Sequence, residues 1–156
     1  MTPAELQSLL GVKAVLLPIK KGTKYPTIKK WQETTFTATQ GPSHQKKLDS
    51  HGNTGVLLGH ASEHLCTIDF DEDAALDDFL KLNPTLNQTL RTQGKRGANL
   101  WIILTGDYPK SHKFKNAIGE PAGEWRSDGN QTVIQGMHPD GMPYRMVVQA
   151  HPMRIT

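Results

Sequence analysis

Two carboxylates, Asp69 and Asp71, stand one residue apart at the end of the apolar run in "HLCTIDFDED" (residues 64–73). In an extended strand, alternate side chains share a face. Thr67, Asp69 and Asp71 then point one way, and Cys66, Ile68 and Phe70 point the other, into a core. Carboxylates so placed lie roughly 6.6 Å apart at the backbone and can converge on a hard cation. Magnesium takes one or two protein carboxylates plus substrate phosphates. Two such ions about 3.5–4 Å apart stabilise both the attacking and the leaving oxygen of a phosphoryl transfer. The plainer reading is that Asp71, Glu72 and Asp73 cap and charge the start of a helix. That accounts for residues 71–73 but not for Asp69, which lies inside the strand. An EF-hand is excluded, because Ala74 and Leu80 stand where its loop needs glycine and glutamate.

Other segments carry compatible chemistry. "GEWRSDGN" (123–130) sets Glu124 and Arg126 two apart on an expected strand, hence on one face. Asp128 competes with Glu124 as a third acid. However, "SDGN" reads as a hairpin turn, where Asp-Gly serves the backbone, so Glu124 is preferred. "GKRGAN" (94–99) combines Gly94 and Gly97, which let backbone approach a phosphate, with Lys95 and Arg96, which supply charge. His138, beside Pro139, reads equally as a ligand contact or as a turn residue. Trp31, Trp101 and Trp125 read as packing residues, His112 as solvated, and Cys66 as a small core residue.

These groups need elements to hold them. Residues 3–10 predict a short helix with Leu6, Leu9 and Leu10 on one face. "KAVLLPI" (13–19) predicts a buried strand stopped by Pro18, followed by a basic loop with Gly22 and Pro26. A polar helix is expected over 43–50, and strands over 53–59 and 64–70, joined as a hairpin. The clearest helix covers 72–82, where Ala75, Leu76, Phe79 and Leu80 form a stripe and Asn83-Pro84 marks the stop. Strand-like pieces follow at 88–92, 99–104, 122–126, 131–136 and 144–149, and 106–121 predicts an exposed basic loop. The sum is an α+β domain, a largely antiparallel sheet with helices packed against it, expected as one domain over 1–156.

With 156 residues the chain can bury a core without disulfides or structural metals, and its one cysteine excludes an internal disulfide. No apolar run approaches a membrane span, and the N-terminus lacks the features of a signal peptide. A cytoplasmic location without membrane contact is therefore expected. A net charge of +3 permits a nucleic-acid partner without demanding one.

The order of these pieces resembles the archaeo-eukaryotic primase superfamily, and most closely the bifunctional DNA primase/polymerase domain of plasmid and phage replication proteins. The matching pieces span most of the chain. They are Pro18, Lys24, Pro26 and Trp31, then Asn53, Gly55 and "VLLG", then Asp69 and Asp71. Thr92, Gly94 and Asn99 follow, and then Glu124, His138, Gly141 and Tyr144. The resemblance implies an RRM-like sheet and template-directed nucleotidyl transfer. It implies two Mg2+ or Mn2+ ions on Asp69, Asp71 and Glu124, and nucleotide contacts from Arg96, Asn99, Arg126 and His138. The implied partners are nucleoside triphosphates, a single-stranded DNA template or primer-template, and a helicase domain or protein. Template would meet the basic loops at 20–30 and 106–116 by phosphate contacts. One position departs from the pattern: Asn99 stands where the family usually has histidine, and an amide cannot carry a proton charge. Two rival functions use the same residues. One is a metal-dependent nuclease, and the other is a nucleic-acid-binding module with a decayed active site.

Overall fold

The first helix, α1 (Pro3–Leu10), starts from a capping box in which the Thr2 hydroxyl accepts from the Glu5 amide and the Glu5 carboxylate accepts from the Thr2 amide. In chain order follow β1 (Val15–Lys20), α2 (Phe36–Thr39), α3 (Pro42–His51), β2 (Gly52–Leu57), β3 (Leu65–Phe70) and α4 (Asp73–Leu82). Then come β4 (Arg91–Gln93), β5 (Ala98–Leu104), β6 (His112–Lys115), β7 (Pro121–Arg126), β8 (Gln131–Gln135), β9 (Arg145–Val148) and β10 (Met153–Ile155). This computed structural model describes residues 1–156, the side chain of His51 excepted.

The strands form two sheets. One has three strands in the order β1-β2-β8. The other has seven, in the order β6-β7-β3-β5-β4-β9, with β10 pairing β5 in parallel beyond the end of β4. All other pairings are antiparallel. The α+β, largely antiparallel reading holds. Its division into two sheets has a visible cause in side-chain alternation. On β5, Trp101 and Ile103 enter the core shared with Leu16, Val56 and Ile134 of the smaller sheet. Leu100 and Ile102 enter the core beneath α4, with Cys66, Phe70, Leu76 and Leu80. On β1, Leu16 faces inward, while Val15, Leu17 and Ile19 face a third layer that includes Trp31 and Phe36. Strands covered on both faces read as continuous apolar runs. The Thr67 and Thr132 hydroxyls share a hydrogen bond of 2.8 Å, both buried, linking β3 to β8 across the two sheets.

Several expectations change. The strands at 53–59 and 64–70 are not a hairpin, because β2 and β3 lie in different sheets and only a Gly59–Leu65 bridge joins the ends of the connection. A short helical turn, His60–Ser62, carries the chain from one sheet to the other, and buried Ser62 accepts from the Val15 amide. "SDGN" is not a hairpin turn either, since β7 and β8 again belong to separate sheets. Pro18 does not stop β1. It sits within the strand, on a sheet edge where a missing N–H is tolerated. The 106–121 segment contains the exposed edge strand β6, and the piece at 88–92 begins as a helical turn, Pro84–Gln88. Among the described residues, no helix is long and apolar enough to cross a membrane.

Candidate active site

Strand register assembles the site. Asp69 on β3 lies directly opposite Glu124 on β7 and Asn99 on β5. Glu124 in turn lies opposite Lys113 on β6. Directly opposed residues of antiparallel strands point to the same face. One row therefore reads Lys113, Glu124, Asp69, Asn99 across four strands.

Arg126 lies along β7 from Glu124, on the same face. Its Nε donates to Glu124 Oε2 and its Nη2 to Asp69 Oδ2, both at 3.1 Å, with the guanidinium side chain only 19% exposed. Burial pushes the Asp69 carboxyl above the usual carboxylate range, against the pull of Arg126 and then Lys24, while Asp71 and Glu124 push the same way as burial. Asp69 is thus a desolvated carboxylate whose cationic neighbours do not fully compensate it. Asp71 follows the end of β3, held by its amide to the Ala122 carbonyl. Both aspartates line a cavity of about 470 Å³.

The opposite walls carry Lys24, Lys95, Arg96 and His138 together with Glu72 and Asp140, and Lys95 lies 3.8 Å from Asp140. The turn between β4 and β5 is tied to the start of α4, because the Gly97 amide donates to Asp73 Oδ1 at 2.9 Å and Arg96 pairs with Glu72 at 3.3 Å. Asp73, expected only to charge the helix end, also positions this turn. Gly97 has φ +65, and a Cβ there would lie 1.8 Å from the Phe70 carbonyl oxygen, so only glycine fits so near the end of β3. Lys24 and His138 come from two other loops, and buried Asn53 joins those loops. Its Nδ2 donates to the Thr23 and Met137 carbonyls, and its Oδ1 accepts from the Met137 amide.

The His138 ring is wedged between Gly94 and Tyr144. A Cβ at Gly94 would stand 2.5 Å from His138 Cδ2, and the Tyr144 ring meets it at 5.5 Å. Nδ1 of His138 accepts from the Asp140 amide at 3.1 Å, although an Asp140 carboxylate oxygen also lies 3.4 Å from it. Burial and the nearby Lys24 lower the His138 pKa, which favours the accepting, neutral ring. The neutral tautomer then carries its proton on Nε2.

Of the residues singled out from sequence, Asp69, Asp71, Arg96, Asn99 and His138 line one cavity, and Glu124 and Arg126 join it through Asp69. Among the described residues, no group of three or more His, Cys, Asp or Glu side chains is arranged to hold a metal ion. Arg126 stands between Asp69 and Glu124. Asp128 lies elsewhere, capping the His60 amide at 2.7 Å and accepting from Tyr108 at 3.1 Å. Sequence reasoning matched Lys24, Asn53 and Tyr144 to the family pattern and put Lys24 in a loop expected to meet template, but it gave none of them a place in the site; Lys24 and Tyr144 line the cavity. The signal for Asn53 was its place in the Asn-x-Gly entry to an apolar strand.

Asp69 and Asp71 thus share one cavity with Lys24, Lys95, Arg96 and His138 on an α+β, largely antiparallel scaffold. A family model described as bifunctional DNA primase/polymerase, N-terminal, matches residues 8–155, and the chain belongs to that family. A search of curated proteins found no match.

Proposed function

We propose that this protein carries out template-directed nucleotidyl transfer, as a DNA primase, a DNA polymerase or both, in the replication of a plasmid, phage or similar element. The observation that supports it most is the convergence of Asp69 and Asp71 with Lys24, Lys95, Arg96 and His138 on one cavity. A nuclease needs the acids, but does not need a site for a nucleoside triphosphate.

The donor set suits a divalent cation. Asp69 is desolvated and incompletely compensated. Beside it, Asn99 has a buried amide oxygen without a hydrogen-bond partner among the described residues. Oxygen ligands of this kind suit Mg2+ or Mn2+. When bound, such ions neutralise charge at the reacting phosphate and on the leaving diphosphate. Asp69 and Asp71 would hold them, and Glu124, paired with Arg126 in this structure, would join only on release from it. The remaining work belongs to the protein. Lys24, Lys95 and Arg96 draw in the triphosphate, neutral His138 offers its Nε2 proton, and the Asp73–Gly97 bond fixes the turn that carries Lys95 and Arg96. A 3′-hydroxyl, or the first nucleotide's hydroxyl in priming, then attacks the α-phosphate and diphosphate leaves. Positioning and charge stabilisation supply most of the rate.

Template DNA, labelled nucleotide and Mg2+ or Mn2+, with and without a primer, form the direct test. Metal-dependent product supports the reading, and primer-independent product identifies a primase. One rival has an observation in its favour: Arg126 bridging Asp69 and Glu124 suits a nucleic-acid-binding module without catalysis. It predicts DNA binding indifferent to metal, and no product.

A further inference from the structure

We propose that the Tyr144 hydroxyl is a direct hydrogen-bond donor to the polyphosphate of the bound nucleotide, an inference that rests on the nucleotide-binding reading above. The hydroxyl is buried and has no hydrogen-bond partner among the described residues. Buried polar groups normally have partners, so an unpartnered one needs a reason.

Its position is fixed by the fold. The ring packs against the outer apolar layer of the three-stranded sheet, formed by residues such as Leu17, Ile19 and Val133. It meets His138 at an interplanar angle of 62°, and the Tyr144 amide donates to the Gly136 carbonyl at 2.9 Å. A ring held on those sides cannot swing its hydroxyl into water without leaving that packing. Tyr144 lines the cavity with Lys24, Asp69 and His138, its hydroxyl oxygen buried among them.

The chemistry of the missing partner follows from the neighbours. Burial pushes the Tyr144 phenol up to about 12, opposed by Arg126 and reinforced by Asp69, so the group remains an O–H donor at any working pH. What it lacks is an acceptor. A metal ion is no acceptor for that proton. Lys24 stands on the same cavity, and Lys95 and Arg96 reach it from exposed pairs with Asp140 and Glu72, so a polyphosphate could accept from the Tyr144 hydroxyl and exchange with those surface pairs. Phenylalanine would fill the ring's place without burying an unpaired hydroxyl. Retaining tyrosine there costs stability unless a ligand uses the hydroxyl.

Wild type and Tyr144→Phe, each with Mg2+, are titrated with inorganic tripolyphosphate and with a nucleoside triphosphate, and each is melted without ligand. The expected result is a Tyr144→Phe protein that melts at the wild-type temperature or higher, yet binds both ligands about tenfold more weakly, the scale of one lost hydrogen bond to a charged group. Equal tripolyphosphate binding by the two proteins would overturn the inference, including when only the nucleoside triphosphate binds less well, since the contact would then be to the sugar or base. A markedly lower melting temperature in Tyr144→Phe would also overturn it, because the hydroxyl would then serve the fold. If wild type binds neither ligand, the nucleotide-binding reading fails with it. If wild type binds both and the variant matches it, only the role of Tyr144 fails.

Discussion

Asp69 sits where water does little for a carboxylate, and its behaviour without metal should show this. Its pKa lies above the ordinary 3.8, with burial as the main cause. The folded state therefore holds the proton more tightly than the unfolded chain does. The sign is that stability is favoured while Asp69 is protonated and declines as pH rises from the unfolded value through the raised one. In metal-free protein, Asp69→Asn should flatten that decline in a series of thermal melts, and should melt no lower than wild type at neutral pH. The same substitution should cut nucleotide incorporation by more than about 100-fold, the scale of removing one electrostatic stabiliser of a transition state. Full incorporation by Asp69→Asn would remove it from the site. Arg126 is different. It compensates two partly buried carboxylates at once, so Arg126→Gln should lower the melting temperature as well as activity. Exposed Arg96 should affect chiefly the nucleotide: Arg96→Ala should raise the apparent KM severalfold with little change in melting.

Turns set the cavity's shape at the scale of elements. Asn53 starts on β2 yet holds two loops by three hydrogen bonds, one loop bearing Lys24 and the other His138. Asn53→Ala removes the partner of those part-buried carbonyls and of the Met137 amide. It should cost about 1–3 kcal/mol in urea unfolding, and steady-state kinetics should show a raised KM, because the loops bearing Lys24 and His138 lose their tie. Gly94→Ala separates position from stability. Its Cβ would strike the His138 ring rather than backbone, so the ring must shift. The expected outcome is weaker nucleotide binding with a small change in melting, read from the same two assays.

Across the whole molecule, the acidic row continues outward to a basic edge. Lys113 shares the face of Glu124, and β6 is the exposed outer strand of the larger sheet. A DNA strand approaching the carboxylates from that side would meet Lys113 and Lys115 first. The double change Lys113→Glu, Lys115→Glu should weaken binding of single-stranded DNA and reduce the slope of log affinity against log salt by about 1–2. Fluorescence anisotropy over a salt series would measure both. An unchanged slope would move the DNA path elsewhere, toward the basic loop at 20–30.

Much of this was legible from local pattern, because local pattern answers to local physics. The Asp69–Asp71 alternation follows from the strand's two-residue period, and α4 from its apolar stripe and its stop at Asn83-Pro84. The glycine-rich turn and the Glu124–Arg126 pair were likewise visible. Which strands share a sheet was not, because pairing between distant segments leaves no mark in either one. The β2–β3 connection and "SDGN" both resemble hairpins, yet each crosses between sheets, since their strands carry apolar residues for separate layers. The same limit hid the site's finer chemistry. No spacing reveals that Arg126 reaches both Asp69 and Glu124, that Asn53 binds two loops together, or that the Tyr144 hydroxyl is left without a partner. Residue type and period determine which chemistry is available. Only the register of strands far apart in the chain decides which groups meet, because hydrogen-bond partners and desolvation exist only once those strands are in contact.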